Sequence, residues 1–197
     1  DTLMQQQVST LSSFVWQAQL RYYFIKPLNI LNANEEDVLV KQSSCVIEYG
    51  YEYMGPTTRL VITPLTDRCW MTITSAYDLK LGAGPSGPAG TGKTESSKDL
   101  AKALAIFCVV FNCSEQIDYA MMGRVFSGIA QGGHWTCLDE FNRISIEVLS
   151  VIAQQINVLR SGRMLLASSP PSEHGLDINF EGREIPLLDH HIIITMN

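Results

Sequence analysis

Residues 87–94 read Gly87-Pro88-Ala89-Gly90-Thr91-Gly92-Lys93-Thr94 and match the pattern G-x-x-x-x-G-K-[ST]. Glycines at these positions let a loop wrap a phosphate group with its backbone N–H groups, and the N-terminus of a following helix adds positive potential. We expect Lys93 to reach the β- and γ-phosphates of a nucleotide and the Thr94 hydroxyl to bind Mg²⁺. The alternative is a glycine-rich turn with a surface lysine, but a chance match in a chain of this length is rare.

The chain around this motif alternates between helical and strand patterns. A helix is predicted over residues 94–106, whereas residues 79–84 before the motif form only a short strand candidate that is diluted by small residues. Further along the chain, apolar strands are predicted at 108–111, 135–138 and 191–195, and helices at 119–130 and 146–160, the latter stopped by Gly162. Apolar strands that alternate with helices indicate an α/β fold, with a parallel sheet and helices on both faces.

Acidic and amide side chains follow two of these strands. Asp139 and Glu140 come at the end of one strand, and Asn197 closes the last one. Ligands of parallel α/β folds gather outside the carboxyl ends of the strands. After a complete phosphate-loop motif, we expect Asp139 to hold Mg²⁺ through water and Glu140 to orient and polarise the attacking water. Asn197 is either a sensor that hydrogen-bonds both this water and the γ-phosphate, or an ordinary polar residue at a strand end.

Other polar and aromatic residues carry weaker signals. Asn142 and Arg143 follow Glu140 and either orient its carboxylate or make polar contacts where a helix begins. His190 and His191 are adjacent, so in a strand they point to opposite faces and cannot bind one metal ion together. We expect both to be structural. The remaining residues of these types are expected in loops or in the core, and they are His134, His174, Trp16, Trp70 and Trp135.

The rest of the chain adds a helix at each end of a strand-rich stretch, and a hairpin. Apolar residues recur at three-to-four spacing over residues 2–25, which predicts an amphipathic helix ending at Lys26-Pro27. Thr63-Pro64 predicts the start of a helix that runs to about residue 79, with threonine as N-cap. Between them, a polar connector is predicted at 29–37 and strands at 38–40 and 45–49. The hairpin is predicted from arms at 163–167 and 176–180 around Ser168-Ser169-Pro170-Pro171.

Composition limits the fold and the partners. The chain has 197 residues, 46% of them hydrophobic, so we expect one domain, or one domain with an appendage, around a real core. A net charge of −6 argues against a nucleic-acid clamp or an anionic membrane surface. Five cysteines without a C-x-x-C pair are expected to be reduced thiols. No membrane span or signal peptide is present in the pattern, and without an initiator Met the sequence is interpreted as a piece of a larger protein.

Seven longer stretches show a resemblance to one protein family. They are residues 16–23, 49–55, 60–69, 87–95, 110–114, 138–144 and 194–197. Taken together, they make the chain resemble dynein heavy chains, at the first AAA+ module and the end of the linker that precedes it. Ile62 and residues 98–102 resemble axonemal more than cytoplasmic dyneins. The resemblance implies the end of the linker, with an amphipathic helix and a connector, over residues 1–37. It implies the large subdomain of an AAA+ P-loop NTPase, without its lid, over residues 38–197.

The family consists of minus-end-directed microtubule motors, and the resemblance implies that this module is the main ATP hydrolysis site of a six-module ring. ATP or ADP and Mg²⁺ are the implied cofactors. The implied catalytic residues are Lys93, Glu140 and Asn197, and the implied metal-binding residues are Thr94 and Asp139. The implied nucleotide-binding residues are those of the phosphate loop, 87–94, together with four residues similar to the loop that lines adenine, namely Val61, Ile62, Pro64 and Leu65. Residues 163–183 are similar to a hairpin insert that faces the linker.

The resemblance also implies partners and a location. The partners are the other AAA+ modules of the heavy chain, one of which supplies an arginine finger in trans, the dynein intermediate and light chains, and the microtubule, reached through a distant stalk. Nucleic acid and membrane are not expected as partners. The location is the cytoplasm and cytoskeleton, in the axoneme of a cilium or flagellum. In the family, a helical lid follows the position of Asn197.

Two other functions are compatible with a phosphate loop. A ring module that holds ATP without turnover would carry Gln or Asn in place of Glu140, so the glutamate favours hydrolysis. A small-molecule P-loop kinase is disfavoured, because no stretch resembles an acceptor-binding lid. Asp-Glu at a strand end also suits water as the nucleophile.

Overall fold

The computed structural model describes residues 2–25, 37–56, 58, 60–169 and 175–197, and a parallel sheet lies at its centre. The strands lie in the order β4 (Cys108–Asn112), β5 (Trp135–Asp139) and β8 (His191–Ile194). All three strands were expected from their apolar runs, and these predictions are confirmed. Because the strands are parallel, Asp139 and the residues after β8 emerge at the same edge of the sheet.

The segment before the phosphate loop extends this sheet without forming a regular strand. Ala83 makes an isolated parallel bridge to β8. Its N–H donates to the Ile192 carbonyl at 3.2 Å, and its carbonyl accepts from the Ile194 N–H at 2.8 Å. The strand predicted over 79–84 is therefore reduced to local pairing. Small residues permit this approach, since a Cβ on Gly82 would lie 3.2 Å from the Ile192 carbonyl oxygen.

Helices cover both faces of the sheet, as predicted. Trp135 and Cys137 of β5 pack into one core. Leu138, the next residue along the strand, packs into the other core, so both faces of the strand are buried. Two helices contribute to the first core, α3 (Pro64–Asp78) and α4 (Lys93–Ala103). Two helices contribute to the second core, α5 (Tyr119–Gly132) and α6 (Ile146–Ser168).

The start of α3 follows the predicted capping pattern. Thr63 has extended backbone geometry, its side chain accepts a hydrogen bond from the Thr66 N–H, and Pro64 occupies the first helical position. Proline loses no helix hydrogen bond at this position, because the first N–H groups of a helix have no intrahelical acceptor. None of the described helices is long and apolar enough to cross a membrane.

The single helix predicted over residues 2–25 is wrong. The segment contains two helices of four residues, α1 (Thr2–Gln5) and α2 (Phe14–Gln17). Few apolar positions of the helical pattern are covered, since Met4 is 82% and Leu11 is 72% exposed and only Ala18 among these positions is buried. A helix with so small a buried face is marginal in water, which explains why the pattern is not realised.

A small antiparallel sheet follows in this part of the chain. It contains β1 (Arg21–Ile25), β2 (Asp37–Gln42) and β3 (Cys45–Glu48), in that order. β1 replaces the end of the predicted helix because its aromatic and β-branched residues favour a strand and β2 supplies a partner. The strands predicted at 38–40 and 45–49 are confirmed. Lys26-Pro27 and connector residues 29–36 lie outside the described residues, and the division of the chain at residue 37 stays a prediction.

The end of α6 and the hairpin also differ from the prediction. Helix α6 continues to Ser168, so residues 163–167 are helical and are not a hairpin arm. Gly162 does not stop the helix; it allows close packing, since a Cβ there would lie 2.7 Å from Leu187 Cδ2. The hairpin consists of β6 (Leu176–Phe180) and β7 (Arg183–Leu187). The predicted turn residues Pro170 and Pro171, and His174, lie outside the described residues.

Candidate functional site

The phosphate-loop motif forms an open turn that leads into helix α4. Gly90 and Gly92 have φ values of 74° and 80°, in the left-handed region that favours glycine. A Cβ built on either residue would meet no atom within 4 Å, so the loop is open on the sides where these two glycines lie. The first N–H groups of α4, which begins at Lys93, have no acceptor inside the helix. This combination of free N–H groups, helix dipole and open space fits a phosphate group.

The Lys93 ammonium lies between the loop and the residue that follows the last strand. Its Nζ donates to the Gly87 carbonyl at 2.8 Å, to the Pro88 carbonyl at 2.9 Å and to Asn197 Oδ1 at 2.7 Å. These contacts hold a positive charge at the mouth of the loop. An anion that entered the loop would meet this charge directly.

The Asp139 carboxylate is held by two hydroxyl groups. Thr94 Oγ1 and Thr195 Oγ1 each donate to its Oδ1 at 2.5 Å. Burial acts to raise the pKa of Asp139, but the hydrogen bonds from Thr195 and Thr94 and the charge of Lys93 outweigh it and lower the pKa. The carboxylate is therefore ionised at neutral pH.

A carboxylate beside a threonine hydroxyl is a hard-oxygen donor set, which fits Mg²⁺. In the described part of the chain, no group of three or more His, Cys, Asp and Glu side chains is placed to hold a metal ion. Mg²⁺ ordinarily takes one or two protein ligands and completes its shell with water and phosphate oxygens, so Asp139 and Thr94 suffice for this role.

Glu140 has an unusual backbone conformation, and its carboxylate is held by two neighbouring side chains. Its φ of 57° and ψ of 42° lie in the left-handed region, and its N–H donates to Thr195 Oγ1 at 3.3 Å. One carboxylate oxygen accepts a hydrogen bond from the Asn197 amide, and the other lies 3.1 Å from Arg143 Nε. Arg143 thus contacts the Glu140 carboxylate, which was one of the two roles considered for it from the sequence. Since the Arg143 side chain is 61% exposed, the ion pair itself is weak.

Asn197 connects the two catalytic candidates. Its carbonyl oxygen accepts from Lys93 and its amide nitrogen donates to Glu140. A side chain with both a donor and an acceptor is required for this bridge. The structure therefore brings together Lys93, Thr94, Asp139, Glu140 and Asn197, which lie far apart in the sequence.

The four residues predicted to line adenine are exposed to solvent. Val61 and Leu65 are 79% and 77% exposed, and Ile62 lines a groove of about 790 Å³ beside α3 and α4. Among the described residues, no hydrogen bond links residues 61–65 to the phosphate loop. Helix α3, which begins within this segment at Pro64, is attached to α4 because Trp70 Nε1 donates to the Ser96 carbonyl at 2.9 Å. The contact of residues 61–65 with a base stays a prediction.

The two adjacent histidines are buried at the other end of β8. His191 packs against Trp135 and Tyr77, with ring centroids 5.0 Å and 5.5 Å apart, and its two ring nitrogens have no hydrogen-bond partner in the described residues. Burial lowers the pKa of His191 to about 3, so the ring is neutral at physiological pH. His190 is also buried, and its Nδ1 lies 3.0 Å from the Leu188 carbonyl oxygen. Both positions are structural in character.

The parallel sheet, the helices on both faces and the phosphate loop define a P-loop NTPase. The family described as "Hydrolytic ATP binding site of dynein motor region" matches residues 49–197. The chain belongs to this family.

Several dynein heavy chains are similar over almost the whole chain. Dynein axonemal heavy chain 6 of Homo sapiens is 53% identical over 196 residues, covering 99% of this chain and 4% of that protein. The dynein-1-alpha heavy chain of the flagellar inner arm I1 complex of Chlamydomonas reinhardtii is 49% identical over 186 residues, covering 93% of this chain and 4% of that protein. The chain therefore spans about 4% of the length of these curated relatives. Among solved structures, the RuvB Holliday junction branch migration motor of Thermotoga maritima matches with a TM-score of 0.43 and 11% identity, over 69% of this chain and 39% of that one.

Proposed function

We propose that this chain binds ATP with Mg²⁺ at residues 87–94 and hydrolyses it, with Glu140 polarising the attacking water. The observation that carries this proposal is the bridge made by Asn197 between Lys93 and Glu140. The Asn197 amide lies between the Lys93 ammonium, which would bind phosphate, and the Glu140 carboxylate, which would polarise water. Hydrolysis requires these two groups to act on the same phosphate.

The side chains divide the work by their chemistry. Lys93 is placed to neutralise charge on the terminal phosphates, and the N–H groups at the start of α4 hold the phosphate oxygens. Thr94 and Asp139 would hold Mg²⁺, which when bound neutralises negative charge on the phosphate oxygens. Asn197 holds the Glu140 carboxylate by its amide and would orient the water between them.

The activity of the whole protein is inferred from its relatives. Relatives of this chain are named axonemal and flagellar dynein heavy chains, so the intact protein would act in the axoneme of a cilium or flagellum. There, hydrolysis at this module would drive minus-end-directed movement along a microtubule that other parts of the protein contact. Other AAA+ modules of the heavy chain, one with an arginine finger, and the intermediate and light chains are the proposed partners.

The proposal is tested in the complete heavy chain by substituting the two groups that Asn197 joins. With Glu140→Gln, ATP should bind with nearly unchanged affinity, but single-turnover hydrolysis should fall by about 10²–10⁴-fold because an amide does not accept a proton from water. With Lys93→Ala, nucleotide binding itself should be lost. Glu147→Gln, at an exposed position in the first turn of α6, is the matched control and should leave both steps unchanged.

Two results would contradict the proposal. Unchanged ATP affinity in Lys93→Ala would mean that the loop is not the nucleotide site. Hydrolysis at the wild-type rate in Glu140→Gln would mean that this module holds ATP without turnover and that the motor uses another site.

A further inference from the structure

Thr195 directly follows β8 and lies beside the turn that carries Asp139 and Glu140. It is 1% exposed. Its backbone N–H donates to the Leu138 carbonyl at 2.9 Å, and its carbonyl accepts from the Phe141 N–H at 3.1 Å. Thr195 is therefore attached to the chain both before and after the acidic pair.

The Thr195 hydroxyl also contacts both acidic residues. It donates to Asp139 Oδ1 at 2.5 Å and accepts from the Glu140 N–H at 3.3 Å. A hydroxyl group is able to do this because it carries one donor and two acceptor lone pairs. One buried side chain thus fixes the carboxylate of one residue and the backbone of the next.

The Glu140 backbone needs such a support. Its left-handed conformation is unfavourable for a residue with a side chain, and it persists only when the surroundings impose it. The bonds from Thr195 hold the turn on both sides of Glu140 and at its own N–H. Without the hydroxyl, this N–H would lose the acceptor that the described structure gives it.

The other donor to Asp139 Oδ1 is Thr94, which has a second role in the proposed function. If Thr94 turns its hydroxyl oxygen to Mg²⁺, Thr195 stays as the side-chain donor that fixes the Asp139 carboxylate. Groups that hydrogen-bond to metal-binding side chains in this way orient them, and their loss costs about 10–100-fold in metal affinity or activity.

We propose that Thr195 is a positioning residue, whose hydroxyl sets the Asp139 carboxylate for the metal ion and the Glu140 backbone for water activation. This inference rests on the proposed function. It assigns the role to the hydroxyl, and it assigns the buried methyl group only to packing.

The test compares substitutions at Thr195 in the complete heavy chain. Thr195→Val keeps the shape and removes the hydroxyl, whereas Thr195→Ser keeps the hydroxyl and removes the methyl group. We expect Mn²⁺ affinity in the presence of ADP, measured by electron paramagnetic resonance, to fall about 10–100-fold in Thr195→Val and to stay within about threefold of wild type in Thr195→Ser. Single-turnover hydrolysis should follow the same order, while ATP affinity measured in the presence of EDTA should stay the same.

A matched control exists in the neighbouring strand. Thr136 of β5 is also fully buried, and its hydroxyl has no hydrogen-bond partner among the described residues. Thr136→Val makes the same chemical change and should leave Mn²⁺ affinity and hydrolysis unchanged. If Thr195→Val does not fold, Thr195→Ala and Thr195→Ser repeat the comparison, because both lack the methyl group and only serine has the hydroxyl.

A packing role predicts the opposite order, with Thr195→Ser affected more than Thr195→Val, and that order would overturn the inference. Wild-type Mn²⁺ affinity and hydrolysis in Thr195→Val would overturn it as well. Failure of the proposed function has a different signature: Lys93→Ala would then leave ATP affinity unchanged, and the inference about Thr195 would fall with it.

Discussion

Arg163 of helix α6 and Asp189, in the short segment between β7 and β8, form an ion pair with Arg163 Nε 2.6 Å from Asp189 Oδ1. The Arg163 side chain is 4% exposed. Its remaining nitrogens donate to the Tyr77 carbonyl at 3.2 Å and the Leu81 carbonyl at 3.5 Å. The pair therefore ties α6 to the end of α3 and to the segment that leads into the phosphate loop.

Arg163→Leu should loosen this junction. The substitution removes the Arg163 donors from the Tyr77 and Leu81 carbonyls and leaves the Asp189 carboxylate with only Tyr77 and Lys80 as partners, which costs free energy. Because the Asp189 side chain is 38% exposed, we expect about 2 kcal/mol, below the cost of breaking a fully buried pair. Hydrogen exchange measured by mass spectrometry should become roughly 30-fold faster in peptides covering residues 77–81.

The exposed Arg160, one turn earlier on the same helix, provides the control. Arg160→Leu should leave exchange in residues 77–81 unchanged. Equal effects of the two substitutions would mean that Arg163 acts through helix charge and not through its contacts.

The same pair should make stability depend on pH in the acid range. Burial acts to raise the pKa of Asp189, but the charge and hydrogen bond of Arg163 and the hydrogen bond from Tyr77 lower it below the usual value. A depressed pKa in the folded state contributes stability that is present above the unfolded pKa of about 3.9 and is lost as the pH falls through the folded pKa. In acid unfolding followed by tryptophan fluorescence, Asp189→Asn should therefore lose less stability below about pH 4 than wild type does. Identical slopes for the two proteins would show that Asp189 does not contribute.

The sequence predicted the residues of the candidate site more accurately than the helices and strands around them. The phosphate loop and the strand before Asp139 are defined by residues that are close in sequence, and the parallel sheet then brings Asn197 to the same edge. Thr195 was not predicted as a site residue, although its position carries a signal. It lies two residues before Asn197, and residues two apart in extended backbone share a face.

The wrong predictions have a tertiary cause. Residues 2–25 have a helical pattern, but Met4 and Leu11 are exposed and β2 offers pairing to residues 21–25. Gly162 is a helix-breaking signal locally, yet its lack of a side chain is what allows α6 to pack on Leu187. Periodicity and propensity do not report which surface an element will meet.

Substitutions of Asn197 should separate nucleotide binding from hydrolysis. Asn197→Ala removes the donor to Glu140, so we expect single-turnover hydrolysis to fall at least about 10-fold with ATP affinity within about threefold. Asn197→Asp keeps an acceptor for Lys93 but places a negative charge beside the Glu140 carboxylate, so hydrolysis should fall further. Asn197→Asp that hydrolyses faster than Asn197→Ala would contradict the role of the amide as a donor to Glu140.

Gly92→Ala should weaken nucleotide binding through the backbone alone. Gly92 has a φ of 80°, and a Cβ there would meet no atom within 4 Å, so alanine causes no collision. The left-handed conformation costs about 1–2 kcal/mol for a residue with a side chain, which corresponds to roughly 5- to 30-fold weaker ATP binding if the loop must keep this shape.

Gly128→Ala is the matched control, because Gly128 is an exposed position of α5 where a Cβ also meets nothing and φ is not positive. Alanine is favoured over glycine in a helix by about 1 kcal/mol, so Gly128→Ala should slow hydrogen exchange in α5 and leave ATP affinity unchanged. Equal ATP affinity in Gly92→Ala and wild type, measured by isothermal titration calorimetry, would mean that the loop binds phosphate in another conformation.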